Sequence, residues 1–132
     1  MKTVMAQGTF DVLHPGHLHY LRESAQLGDE LVVVVARDSR VEKEQLAFDE
    51  EERRELLGAL ETVDRALIGS KGDIYSTVGS VNPDVITLGY DQAHEEREVE
   101  ELAEDATDHE VEVVRIGEKE GYSSSDIKRS AR

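Results

Sequence analysis

Six residues, Leu31 to Ala36 (LVVVVA), set the tightest limit on what this chain can fold into. The run is apolar throughout, rich in β-branched residues and without polar alternation, so a strand made from it has no face suited to water. Such strands are buried on both sides, which requires layers above and below and points to a parallel sheet covered by helices. Thr3 to Ala6, Val63 to Ile68 and Asp84 to Leu88 offer further mostly apolar strands, while Glu110 to Ile116 (EVEVVRI) alternates, as a strand nearer an edge does.

Helical patterns fill the spaces between. Leu18 to Leu27 reads as the first helix, with Gly28 in the position of a C′ glycine. Asp49 three residues before Glu52 forms an Asp version of the capping box, followed by the apolar stripe Leu56, Leu57 and Leu60. Gly69-Ser70-Lys71-Gly72 ends the third strand; Asp73 caps a third helix carrying Ile74, Val78 and Val81, which Asn82-Pro83 breaks. His94 to Ala106 is a charged helix with Val99, Leu102 and Ala103 on one face, and a short last helix follows Ser123 to Ser125. Strand and helix alternating with short connections predict an α/β fold: a single-domain, Rossmann-like open parallel sheet of about five strands, with helices on both faces, over residues 1–132. We find no internal repeat, low-complexity segment or linker.

Composition narrows the functional classes. No cysteine is present, which removes disulfides and thiolate metal sites. Thirty acidic residues face fifteen basic ones, of which five are lysine, for a formal net charge of −15. That surface repels nucleic acid and anionic membranes. It suits either a module made for basic partners or a chain adapted to concentrated salt, where screening shrinks self-repulsion. The acidic residues are spread over nearly every expected helix instead of forming one tail, which favours salt adaptation. Met1 to Met5 is too short and too soon interrupted for a signal peptide, and no apolar run approaches a membrane span, so a cytoplasmic protein is expected.

In open sheets of this kind, ligands bind beyond the carboxyl ends of the strands, near the point where strand order reverses. Four segments fall there: Gly8 to His17 after strand one, Arg37-Asp38-Ser39 after strand two, Gly89-Tyr90-Asp91-Gln92 after strand four, and Gly117 to Ser125 after strand five. The first holds the strongest chemistry. His14 and His17 are three residues apart as a helical pattern begins, so both rings can share one face, at a helix N-terminus whose N–H groups and dipole favour an anion, with Gly16 leaving the backbone bare between them. On residue types alone, the pair reads more readily as a loop histidine beside a partly buried helical one.

The string GTFDVLHPGH, Gly8 to His17, resembles the first signature of the nucleotidyltransferase (cytidylyltransferase-like) superfamily, whose H-x-G-H holds nucleoside triphosphate phosphates. The resemblance runs from Val4 to Lys128. It implies in-line attack of a phosphate on the α-phosphorus of a triphosphate with loss of pyrophosphate, a reaction that needs positioning and charge neutralisation more than a base. His14 and His17 are then the catalytic residues, as donors to phosphoryl oxygens. Thr9, Phe10, Pro15 and Gly16 complete the phosphate-binding turn, and Asp11 orients the loop or assists a metal.

Leu88-Gly89-Tyr90-Asp91-Gln92 resembles the family's Gly-x-Asp segment, in which Asp91 meets the nucleoside sugar; otherwise it is an ordinary turn. Gly121-Tyr122-Ser123-Ser124-Ser125-Asp126-Ile127 resembles the second, serine- and threonine-rich signature, making Tyr122, Ser123 and Ser124 triphosphate contacts; otherwise the serines cap a helix. Both have the form found in archaeal FAD synthases, which implies ATP and FMN as substrates and FAD and pyrophosphate as products. A cytidylyltransferase using CTP and glycerol 3-phosphate, and a nucleotide-binding sensor without turnover, are the competing expectations.

Two departures stand out. Glu118 occupies the place of a family arginine, leaving Lys119 to supply the charge, and Val41 to Asp49 retains only Lys43 where relatives carry several basic residues. Arg53 and Arg54 are the candidate replacements for the second substrate's phosphate, against a reading as salt-bridged surface residues. Tyr90 and Tyr122 are the aromatics placed to stack on a flavin. His94 and His109 stand apart as solvated residues, and magnesium is expected to arrive on the triphosphate. Relatives of this size are often homodimers, which the resemblance carries over.

Overall fold

The computed structural model describes residues 1–11, 13–37, 47–70, 74–90 and 94–117. Its elements alternate as β1 (Thr3–Gly8), α1 (Pro15–Ala25), β2 (Glu30–Val35), α2 (Glu50–Gly58), β3 (Arg65–Ile68), α3 (Ile74–Val81), β4 (Val85–Gly89), α4 (Glu96–Thr107) and β5 (Glu112–Ile116). The five strands form one sheet in the order β3-β2-β1-β4-β5, with every neighbouring pair parallel. The expected α/β class, strand number and edge position of the alternating last strand all hold.

The period-two arrangement of a strand divides the core in two. Val4, Ala6, Leu31, Val33, Val35 and Val85 point to one face, where Tyr20 and Leu21 of α1 and Leu57 of α2 cover them. Met5, Val32, Val34 and Ile86 point to the other, against Val78 and Val81 of α3 and Ala103 of α4. Two helices per face follow from right-handed crossovers: the chain winds outward from β1 through β3, then returns over the opposite face to β4. Strand order therefore reverses between β1 and β4, and the crevice beyond their carboxyl ends lies between Gly8 and Gly89.

Local departures from the expected boundaries have identifiable causes. α1 starts at Pro15, three residues before the apolar pattern, because His14 caps it and proline suits the first helical position. It ends at Ala25 with Gln26 as a right-handed cap, so Gly28 is not a C′ glycine. Gly28 is needed for close approach instead: a Cβ there would lie 2.7 Å from the Lys2 carbonyl oxygen and from Val4 Cγ2. The Asp49–Glu52 capping box forms as expected, with Glu52 N to Asp49 Oδ1 at 2.8 Å and Asp49 N to Glu52 Oε1 at 3.1 Å. The apolar stripe of α2 was misplaced, however. Leu57 is buried and Leu60 packs on the core, but Leu56 is 43% exposed, since Arg53 takes the inward position one turn before Leu57. Asp73 and the last helix lie outside the described residues.

Candidate active site at the carboxyl end of the sheet

The exit of β1 is built by short-range constraints. Phe10 adopts a left-handed backbone (φ 52°), which turns its ring back under the loop, where it is buried. The ring lies on Gly8, where a Cβ would stand 2.9 Å from Phe10 Cε2. It meets His17 edge-on at 5.4 Å between centroids and stacks on Tyr20 at 6.3 Å. His17 in turn stacks on His14, with centroids 3.9 Å apart and planes 25° from parallel. Sequence spacing anticipated this convergence; the aromatic wedge beneath it was not foreseen, since Phe10 was expected only as part of the phosphate-binding turn.

His14 is the N-cap of α1, and its Nδ1 accepts from Gly16 N at 3.0 Å. In the neutral ring, a nitrogen that accepts carries no proton, so the hydrogen sits on Nε2, which is then the donor. Burial lowers the His14 pKa below its ordinary value, favouring that neutral form. The His14 carbonyl also receives His17 N at 2.9 Å and Leu18 N at 3.2 Å. The expectation of a bare helix N-terminus is thereby corrected: Pro15 has no N–H, Gly16 N is taken by the imidazole, and the next two are taken by the His14 carbonyl. Side-chain N–H groups, more than backbone ones, are what this helix start offers an anion.

Asp11 orients the loop, one of the two roles expected of it. Its buried carboxylate accepts from Ala47 N through both oxygens at 2.9 Å and from Phe48 N at 3.0 Å. Arg53 grips the same strap from the other side, with Nε to the Phe48 carbonyl at 3.2 Å and Nη1 to the Thr9 carbonyl at 2.8 Å. It is the largest fully buried side chain. The surface reading of Arg53 is therefore excluded: these two bonds go to backbone carbonyls of the chain itself. For Arg54 the surface reading holds: it pairs with Glu51 at 3.3 Å, both exposed.

The floor of the crevice is a buried polar network that sequence reasoning missed. Tyr20 Oη donates to the Thr87 carbonyl at 2.9 Å and accepts from Thr87 Oγ1 at 3.1 Å and Gln7 N at 3.3 Å. Ser24 Oγ donates to the Tyr20 carbonyl at 2.7 Å and lies 2.8 Å from Thr87 Oγ1. α1 is thus tied to β1 and β4 at the reversal point. A threonine inside the otherwise apolar Val85-Ile86-Thr87-Leu88 was the available signal, because a buried hydroxyl needs partners.

On the far side, Arg115 of β5 holds the exit of β4. Its Nη1 donates to the Gly89 carbonyl at 2.9 Å, its Nη2 to the His94 carbonyl, and its Nε and Nη2 to Glu96 Oε1 at 3.0 and 2.6 Å. Tyr90, next to Gly89, is 40% exposed at this edge, whereas Tyr20 and Phe10 are buried. His94 is exposed, as expected. His109 is not simply solvated: its ring nitrogens lie 2.9 Å from the Glu110 carbonyl and 3.0 Å from Asn82 Oδ1. Asp91, Lys119, Tyr122, Ser123, Ser124 and Lys43 lie outside the described residues.

Comparison with known proteins bears on this arrangement. The sequence pattern described as Cytidylyltransferase-like matches residues 5–130. The chain belongs to that family. Among this family's members, a protein named FAD synthase from Picrophilus torridus is 48% identical over 130 residues, covering 96% of this chain and 93% of that one. Another FAD synthase, from Aciduliprofundum boonei, is 56% identical over 103 residues, covering 76% and 69%. A crystal structure from Thermoplasma volcanium, described as a lipopolysaccharide core biosynthesis protein, is 50% identical, covers 91% of this chain and 99% of its own, and superposes with a TM-score of 0.84. No helix among the described residues is long and apolar enough to cross a membrane.

Proposed function

We propose that this family member is an FMN adenylyltransferase, transferring AMP from ATP to FMN with release of pyrophosphate. The observation that carries the reading is the near full-length match to a protein named FAD synthase. In this reaction an FMN phosphate oxygen forms a bond to the α-phosphorus of ATP while the bond from that phosphorus to the bridging oxygen of pyrophosphate breaks. The attacking oxygen is already anionic, so no proton need be removed. His14 donates from Nε2 to a phosphoryl oxygen, and His17, held parallel to it, donates beside it; their role is to offset charge spreading over the phosphate chain.

Thr9, Phe10, Pro15 and Gly16 frame the turn beneath the phosphates. Asp91 meets the ribose, and Lys119, Tyr122, Ser123 and Ser124 meet the triphosphate. Tyr90 supplies exposed aromatic surface on the β4 side, and Phe48, 38% exposed, supplies it on the α2 side. No three His, Cys, Asp or Glu side chains among the described residues form a metal-holding group, and both Asp11 oxygens are engaged by backbone N–H groups. Magnesium would enter as a companion of the triphosphate, where it would neutralise phosphate charge. We place the enzyme in the cytoplasm, as a homodimer, in a salt-rich interior.

The test is product identification. Protein is incubated with ATP or CTP, with FMN or glycerol 3-phosphate, and with magnesium in molar salt. FAD and pyrophosphate are expected. A CDP-alcohol would transfer the assignment to a cytidylyltransferase, and nucleotide binding without pyrophosphate release would make the protein a sensor.

A further inference from the structure

We propose that Tyr20 is a positioning residue for His17, acting through the ring of Phe10. The inference rests on the nucleotidyl-transfer reading above, in that His17 must be a phosphoryl donor for its placement to govern turnover. His14, His17, Tyr20 and Ser24 follow one another at helical spacings of three, three and four. One face of α1 and its cap therefore runs from the two imidazoles to a buried phenol and a buried hydroxyl. The phenol end is fixed. Its oxygen is bonded to Gln7 N of β1 and to the carbonyl and Oγ1 of Thr87 in β4, and Ser24 Oγ lies 2.8 Å from the same Thr87 Oγ1.

Phe10 carries that fixation to the donors. Its ring lies 23° from the plane of the Tyr20 ring and 68° from that of His17, which in turn stacks on His14. Offset stacks and edge-to-face contacts are the arrangements that aromatic quadrupoles favour, so each ring sets the tilt of the next. The backbone points the same way. A left-handed φ of 52° disfavours a bulky residue, yet a phenylalanine stands there with its ring buried. Such a conformation persists only where the surroundings over-determine it, and the ring's surroundings here include Gly8, His17 and Tyr20. Removal of the Tyr20 ring leaves Phe10 room to sink away from His17. The imidazole then loses the surface that sets its angle, while His14 is still held by the bond from Gly16 N.

The experiment is a double-mutant cycle: FAD formation by wild type, Tyr20→Leu, His17→Ala and the double variant, assayed well below every melting midpoint. Tyr20→Leu should lower kcat about tenfold, since misplacing a group by about 1 Å can cost about 100-fold. KM for ATP and for FMN should stay within about twofold of wild type, as for a contact made in the transition state. In the His17→Ala background the same change should alter kcat by less than about twofold, because the group it positions is gone. Val78→Ala, in the core of the opposite sheet face, is the stability control and should lower Tm with kcat retained. Equal losses of kcat in both backgrounds, or no loss in the wild-type background, overturn the proposal. If Tyr20→Leu does not fold, Tyr20→Phe carries the same cycle, with a smaller loss because the ring remains and only its anchor is gone. Should wild type form no FAD, the adenylyltransferase reading fails by itself; nitrogen NMR of the His17 ring then decides Tyr20. Ring resonances displaced in Tyr20→Leu and unchanged in Val78→Ala support it, and any other pattern rejects it.

Discussion

Replacing Arg53 with methionine separates a strut from a substrate ligand. Methionine keeps the length and apolar stem of the side chain and removes its donors. The Thr9 and Phe48 carbonyls each lose a hydrogen bond from a charged group, at 2.8 and 3.2 Å. Bonds of that kind contribute about 1.5–3 kcal/mol each. The two losses overlap within one strap, so about 3–5 kcal/mol is expected in total. Unfolding entropy is about 2.1 cal/mol/K per residue, so for 132 residues each kcal/mol moves Tm by about 3–4 °C, giving a fall of about 10–18 °C. Circular dichroism melting in molar salt measures it, with Arg53→Lys retaining part of the stability. A Tm within about 2 °C of wild type, together with a raised KM for FMN, would refute the strut and restore the phosphate-ligand reading.

Four further outcomes are expected. His17→Ala should lower kcat by about 100-fold with an unchanged circular dichroism spectrum, the scale of losing one transition-state donor; undiminished turnover would remove His17 from the chemistry. For His14, the folded-state pKa lies below the unfolded 6.5, so the unfolded chain takes up the proton first as pH falls. The stability that His14 contributes is then complete above about pH 6.5 and lost as pH drops through the folded value. The Tm difference between wild type and His14→Asn should shrink from pH 7.5 towards 5, and a constant difference would contradict the assignment. Gly8→Ala should displace the Phe10 ring at a cost of about 1–3 kcal/mol and disturb the His14–His17 stack, seen as lower Tm and kcat together; no change in either would mean that the wedge yields. Finally, Tm should rise from low to molar salt if the −15 charge reflects salt adaptation, and a flat response would count against it.

Elements that repeat a pattern were legible in the sequence, and elements that depend on one long-range bond were not. The uninterrupted apolar run of β2 announced a strand buried on both faces because every residue in it carries the same message. The His14–His17 pair was legible because i and i+3 meet within one helical turn, whatever the rest of the chain does. The burial of Arg53 was not legible for the opposite reason. Its partners, Thr9 and Phe48, are 44 and 5 residues away, and no local pattern tells a buried arginine from a solvated one. Leu56 and Arg53 exchanged their expected places for that single cause. The start of α1 was missed because a histidine N-cap accepting through its ring is not among the usual capping residues, whereas Asp49 with Glu52 is.

The arginines share a logic that bears on the chain's acidity. Arg37 bonds to the Gly69 carbonyl at 2.5 Å, joining the ends of β2 and β3; Arg53 joins α2 to the exit of β1; Arg115 joins β5 to the exit of β4. Each lies towards the carboxyl edge of the sheet, and each uses a guanidinium to hold a backbone carbonyl. An exposed ion pair weakens as salt screens it, as expected for Arg97 with Glu101, where both partners are largely exposed. A short bond from a partly buried guanidinium to a carbonyl depends little on charges a Debye length away. In a chain with twice as many acidic as basic residues, arginines placed in this way keep the site's edge assembled at salt concentrations that relieve the repulsion elsewhere. Under the adenylyltransferase reading proposed above, a bound triphosphate would meet ring N–H groups of His14 and His17, and salt should stabilise the fold without dissolving the frame that holds those two rings.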